Sequence, residues 1–214
     1  MGKAARRHAD RGMTARHAIA RLKVTLEDVE PAVMRRLDVP LGIRLDRLHL
    51  VLQAAMGWTN SHLYEFKAGG VGWGVPDPDF DDGLLPAART TLLDVVDDIG
   101  ARTIQYLYDF GDDWHHVVRI ERIGEPDPLA RYPQLVAAQG RCPPEDVGGP
   151  PGYAEFLVAI TDPTHEEHES WLSWCGGAFD PDTPDIEKIA LGLDRLARKW
   201  APRPRKPKTT SPRS

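Results

Sequence analysis

Only two cysteines occur in the 214 residues, Cys142 and Cys175, and they stand far apart. They offer neither a disulfide framework nor a Cys-x-x-Cys pair, so two free thiols in a cytoplasmic protein are expected. No apolar run approaches the roughly 20 residues that cross a bilayer. The N-terminus holds Arg and His without the apolar stretch of a secretory signal. There is no nucleophile elbow, phosphate loop or dinucleotide fingerprint. These absences set aside a membrane protein, a stapled secreted domain and the commonest nucleotide-binding and serine-hydrolase classes. No membrane partner is expected.

Acidic residues are missing from the last stretch of chain. Residues 195–214 carry eight Lys/Arg and no acid, and residues 1–23 carry seven Lys/Arg and one Asp. The remaining residues, 24–194, hold 12 basic against 31 acidic side chains, a net charge of −19. Such a body repels phosphate backbones, whereas the basic ends attract them. Residues 1–17 lack any apolar period and read as a flexible basic arm, with Met13 a candidate initiator. Residues 201–214 read as a disordered Pro-rich basic tail. Both ends serve as solubilising segments or as weak nucleic-acid contacts. Residues 18–200 are expected to form a single domain.

Leu22, Val24 and Leu26 alternate with polar residues and predict a first strand. Val33, Leu37 and Val39, between Pro31 and Pro40, predict a second. Leu45, Leu48, Leu52, Ala55 and Met56 recur at helical spacing, so 44–56 reads as a helix stopped by Gly57. A short strand at 62–67 and a long loop at 68–90 follow. Next come a helix at 91–99 and a hairpin at 103–123. Residues 124–152 read as loop with a short helix near 133–139. Helices are expected at 153–160, 164–175 and 184–200, the last with a core stripe of Ile186, Ile189, Ala190, Leu193, Leu196, Ala197 and Trp200. This order predicts an α+β fold: an antiparallel sheet covered by helices, with a helical C-terminal third.

The hairpin concentrates the chemistry. Asp109, Asp112, His115, His116 and Glu121 surround one turn, together with Trp114. Across segments, His62, Asp109, Asp112, His116, Glu145 and Asp146 form the strongest constellation. Two imidazoles and up to four carboxylates suit Zn²⁺, Mn²⁺ or Fe²⁺, or general acid–base work. The same residue types beside Gly turns also cap backbone N–H groups and lock loops together. The metal set taken from this constellation is His62, Asp109, Asp112 and His116, around a divalent transition metal. Trp58, Tyr108 and Trp114 complete the candidate ligand groove, although most aromatics of such a body belong to its core. Strand alternation puts His115 and His116 on opposite faces. Asp109-Phe110-Gly111 lacks the surrounding kinase motifs, and Asp77–Gly83 has its Gly one place late for a calcium loop. His165-Glu-Glu-His168 lacks the i, i+4 spacing of zinc peptidases.

Tyr-Asp-Phe-Gly-Asp-x-Trp-x-His-x-Val-x-x-Glu, from Tyr108 to Glu121, resembles the hairpin signature of the plasmid pRiA4b ORF-3-like family. Gly57-Trp58 with His62-Leu-Tyr-Glu-Phe66 resembles a second family segment, with Tyr64 where many members have His. Cys142-Pro-Pro-Glu-Asp-Val-Gly-Gly149 with Gly152-Tyr153, and Gly176-Gly-Ala-Phe-Asp-Pro181, resemble two more. The resemblance runs in order from about residue 21 to 200, and among the two histidines it favours His116. It implies an association with mobile elements, where some members are described as transposon passenger proteins of the TnpR type. It implies no reaction, and no serine-recombinase catalytic segment is present. The expected function is a non-enzymatic binding or accessory module that takes a protein or small ligand beside the hairpin. The alternatives are a metal-dependent enzyme, hydrolytic in type, and nucleic-acid binding through the basic ends.

Overall fold

The computed structural model describes residues 17–77, 79 and 83–201. The N-terminal arm up to residue 16, Met13 and the tail from residue 202 lie outside the described residues, as do the nucleic-acid contacts assigned to those ends.

Eight strands form one sheet in the order β5-β4-β3-β6-β7-β1-β2-β8. They are β1 (Ile19–Leu26), β2 (Met34–Pro40), β3 (Tyr64–Ala68), β4 (Val71–Gly74), β5 (Leu85–Pro86), β6 (Thr103–Tyr108), β7 (Trp114–Gly124) and β8 (Gln134–Gln139). All neighbours are antiparallel except β4 and β5. Five helices complete the described residues: α1 (Leu45–Met56), α2 (Leu92–Ile99), α3 (Gly149–Thr161), α4 (His168–Trp174) and α5 (Ile186–Trp200). The α+β class and the helical C-terminal third are as the patterning predicts. No helix among the described residues is long and apolar enough to cross a membrane.

Alternation fixes the inner face of the sheet. Leu22, Val24, Leu37, Val39, Ile104, Tyr106, Tyr108, Trp114, His116, Val118 and Ile120 are buried. In the central hairpin they face one another as Ile104↔Val118, Tyr106↔His116 and Tyr108↔Trp114. Helix α1 lies on this face and buries Leu45, Leu48, Val51, Leu52 and Ala55. It ends at Gly57, which adopts a left-handed φ of 89°. Helix α2 starts on a reciprocal capping box between Thr91 and Asp94.

Arg35 closes the far side of the core. The residue is 1 % exposed, and its guanidinium has no carboxylate partner among the described residues. Nε donates to the Ala55 carbonyl at 2.8 Å, and Nη1 reaches the carbonyls of Met34, Gln139 and Gly140 at 2.8–3.0 Å. It thereby ties β2, the end of α1 and the end of β8 together.

Four expectations need correction. Residues 134–139 form strand β8 rather than a short helix, because β2 presents an unpaired edge whose N–H and C=O groups need partners. The 68–90 loop contains β4 and β5, since Val71–Gly74 completes a hairpin with β3. Helix α3 begins at Gly149, with prolines in its first turn where no N–H is needed. In α5 only Ile189, Leu193 and Ala197 are fully buried, while Ile186 and Ala190 are exposed. That helix packs along a narrow seam against α1 and β8, and Trp200 lies half-buried with the Arg47 guanidinium over its ring.

Two glycines separate backbone freedom from space. Gly57 has open surroundings, whereas a Cβ on Gly149 (φ 68°) would collide with the Asp112 carbonyl oxygen. Gly57→Ala should cost about 1–2 kcal/mol through its left-handed backbone. Gly149→Ala should cost about 2–4 kcal/mol by adding overpacking. Denaturant unfolding of both variants checks this, and equal losses would contradict the close approach of α3 to the hairpin turn.

Candidate functional site

Three segments meet at the open end of the β6–β7 hairpin: the residues after α1, the hairpin turn, and the loop leading into α3. Their meeting point is Glu145. Its Oε1 accepts a short hydrogen bond from the Tyr108 hydroxyl. Its Oε2 accepts from the Thr59 N–H at 2.8 Å and the Thr59 hydroxyl at 2.5 Å. Tyr108 Oη in turn accepts from the N–H groups of Ser61 and His62 at 3.0 and 3.4 Å. Burial and the hydrogen bond to Glu145 push the Tyr108 hydroxyl well above its usual range. Partial burial would raise the Glu145 carboxyl, but the bonds from Thr59 and Tyr108 and the nearby His62 outweigh it and hold the group low.

That scaffold presents His62. Its Nε2 is hydrogen-bonded to Asp146 Oδ1 at 2.9 Å and lies 3.4 Å from Asp109 Oδ2. These three residues each offer a ligand atom, all within 4.8 Å of one another. No other such group of three occurs among the described residues. Asp146 is mostly exposed, His62 partly so, and Asp109 nearly buried. Asp109 and Asp146 adopt left-handed backbones, with φ of 60° and 61°. Asp109 is held there by donating its N–H to Leu63 O at 2.9 Å and accepting from Gly111 N–H on Oδ1 at 3.0 Å. Its other carboxylate oxygen is left for His62.

The remaining candidates do different work. Asp112 Oδ2 accepts from the Gly148 N–H at 3.2 Å and fixes the turn into α3. Trp58 and Trp114 are core residues. Trp58 donates Nε1–H to Pro143 O at 3.1 Å and stacks on Tyr108 with ring centroids 5.0 Å apart. His116 is fully buried. Its Nδ1 lies 3.1–3.2 Å from the carbonyls of Tyr106 and Trp114, so Nδ1 carries the proton. Nε2 has no partner among the described residues. The structure therefore does not join His116 or Asp112 to His62 and Asp109, and it adds Asp146 in their place. His115 faces outward and pairs with Asp113 at 3.1 Å. His165 and His168 are half-buried loop fasteners, His168 bound to Ala159 O at 2.8 Å.

Sequence reasoning missed a buried polar network behind the rim. His49 Nδ1 meets the Tyr106 hydroxyl at 2.8 Å, and Gln53 Nε2 donates to the same oxygen at 3.1 Å. Asn60 closes the network through a short contact to His49 Nε2 and an N–H bond to Gln53 Oε1 at 3.0 Å. The signal was present: His49 and Gln53, four residues apart, interrupt the apolar face of α1.

The family model described as plasmid pRiA4b ORF-3-like protein matches residues 18–188. The chain belongs to this family. The chain is 53% identical over 190 residues to the uncharacterized protein y4hQ of Sinorhizobium fredii, covering 88% of this chain and 97% of that one. The fold is similar to the crystal structure of MM3350, a protein of unknown function from Methanosarcina mazei Go1. That likeness has a TM-score of 0.73 at 32% identity, covering 79% of this chain and 96% of the other.

Burial lowers both His49 and His116 from 6.5 to about 4. Both are neutral in the folded protein while the unfolded chain takes up protons below pH 6.5. Their contribution is therefore fully present above pH 6.5, declines as pH falls, and is lost through about pH 4. Denaturant unfolding across this window should show a steep fall in stability. His116→Gln should flatten the slope whatever its own cost at pH 7. An unchanged slope would show that His116 does not titrate this way.

Proposed function

We propose that this plasmid pRiA4b ORF-3-like protein is a non-enzymatic binding module whose recognition element is the rim of His62, Asp109 and Asp146. The observation that carries this reading is the placement of one imidazole nitrogen between two carboxylates from different segments, on a scaffold that holds all three backbones. One His and two Asp form a hard-to-borderline donor set suited to a divalent transition metal such as Zn²⁺ or Mn²⁺, with room left for a further ligand. The acidic body, −19 over residues 24–194, favours a cation or a cation-bearing partner over nucleic acid. An accessory role on mobile DNA is part of the same proposal and rests on the family resemblance alone.

The second reading, a metal-dependent enzyme, rests on the same three residues. It is favoured less because Glu145, Asp112 and His116 are taken up in holding loops and core. These three give the rim no additional acid or base.

Calorimetric titration of the protein with Zn²⁺ and with Mn²⁺ should show one site. His62→Ala and Asp146→Asn should abolish it, and Asp112→Asn should leave it intact. Identical binding by the His62→Ala variant would overturn the rim as the site. Hydrolytic turnover that appears with metal and vanishes in His62→Ala would move the assignment to the enzyme.

A further inference from the structure

A cavity opens beside the Cys142–Glu145 loop. It is about 170 Å³ and is walled by Met56, Trp58, Phe179 and Ile189, with Arg35, Arg141 and Lys188 among its polar lining. It shares Trp58 and Glu145 with the scaffold described above but none of the three rim residues. The three cations have no salt-bridge partner among the described residues. The two carboxylates at its wall are already engaged. Glu145 accepts from Tyr108 and Thr59, and Asp185 caps α5 by accepting the Lys188 N–H at 3.0 Å.

Arg35 is the telling group. Nε and Nη1 are fully used by backbone carbonyls, but Nη2 has no acceptor among the described residues. Arg35 is 1 % exposed as a residue and lines the cavity, so the N–H groups of Nη2 are left for an acceptor at that wall. Arg141 is held against the Phe179 ring, 4.5 Å from its centroid, and by its N–H to Pro181 O at 2.7 Å. Its position at the cavity is therefore set by the fold.

We propose that this cavity binds the carboxylate of a small, largely apolar organic acid, with Arg35 Nη2, Arg141 and Lys188 around the anion and the Trp58–Phe179 walls around its body. Size and charge define the class. A dry cavity of about 150 Å³ accepts a benzene-sized molecule, so a nucleotide is too large. Among the lining side chains three cations face two carboxylates, and Asp180 lies near Arg141, so the wall offers at most a single surplus positive charge, which suits a monoanion rather than a phosphate dianion.

Benzoate is the probe, with benzamide as its uncharged isostere and inorganic phosphate as the competing anion. Titration of the full chain is followed by Trp fluorescence and by heteronuclear NMR of Arg side-chain N–H groups. Benzoate should perturb the Arg35 side-chain signal and bind at least about tenfold more tightly than benzamide, the scale of one charge-assisted hydrogen bond. Arg141→Gln and Lys188→Gln, both away from the core network, should each weaken benzoate without affecting benzamide. Equal affinity for benzamide, or an Arg35 signal unmoved by benzoate, would overturn the proposal. Phosphate binding tighter than benzoate would overturn the carboxylate class. Arg35→Lys provides a further arm: it should retain the fold through fewer carbonyl bonds and lose benzoate preferentially.

Discussion

The carboxylate of Glu145 is the constraint on which the candidate site depends. It joins the end of β6 through Tyr108, the segment after α1 through Thr59, and the loop before α3 through its own backbone. Each charge-assisted bond contributes about 1.5–3 kcal/mol in favourable settings, and losing the carboxylate would strand a buried phenol as well. Because Tyr108 also accepts from the Ser61 and His62 N–H groups, the position of His62 follows from that of Glu145. Asp146 is the next residue along. The same carboxylate therefore sets both ends of the His62–Asp146 contact, and Asp109, one residue after Tyr108, supplies the third corner.

Behind this rim the titratable groups are kept neutral or caged. His116 and His49 sit in the core as uncharged rings, and the Cys142 thiol is pushed up to about 12 by burial. Neither cysteine is disulfide-bonded. Arg35 keeps its charge inside by facing carbonyl oxygens, including one in the last turn of α1, where the helix dipole favours a cation.

Much of this was legible from local pattern. Strict alternation identified β1 and the hairpin, and the 45–56 periodicity with its terminal glycine identified α1. β8 was not, because its half-exposed residues carry no alternation and exist as a strand only through the free edge of β2. At the candidate site, the resemblance and the clustering of Asp and His named His62, Asp109 and Asp146, which the structure brings together, but set Asp112 and His116 with them, which it does not. His116 shares its parity along β7 with Trp114, Val118 and Ile120, and that apolar company already marks it as core. Asp112 and Asp109 flank one turn, and only the backbone of that turn decides which carboxylate faces Gly148 and which faces His62. Pairing of Asp146 with His62 is a long-range consequence of the Glu145 tie and leaves no local trace.

The most direct measurement is anomalous diffraction from crystals grown with Zn²⁺, recorded on either side of the zinc edge. Cation recognition at the rim predicts a peak bounded by His62 Nε2, Asp109 and Asp146, with the His62–Asp146 hydrogen bond replaced by coordination. Density without a peak there, and with that hydrogen bond intact while zinc occupies other surface carboxylates, would contradict it.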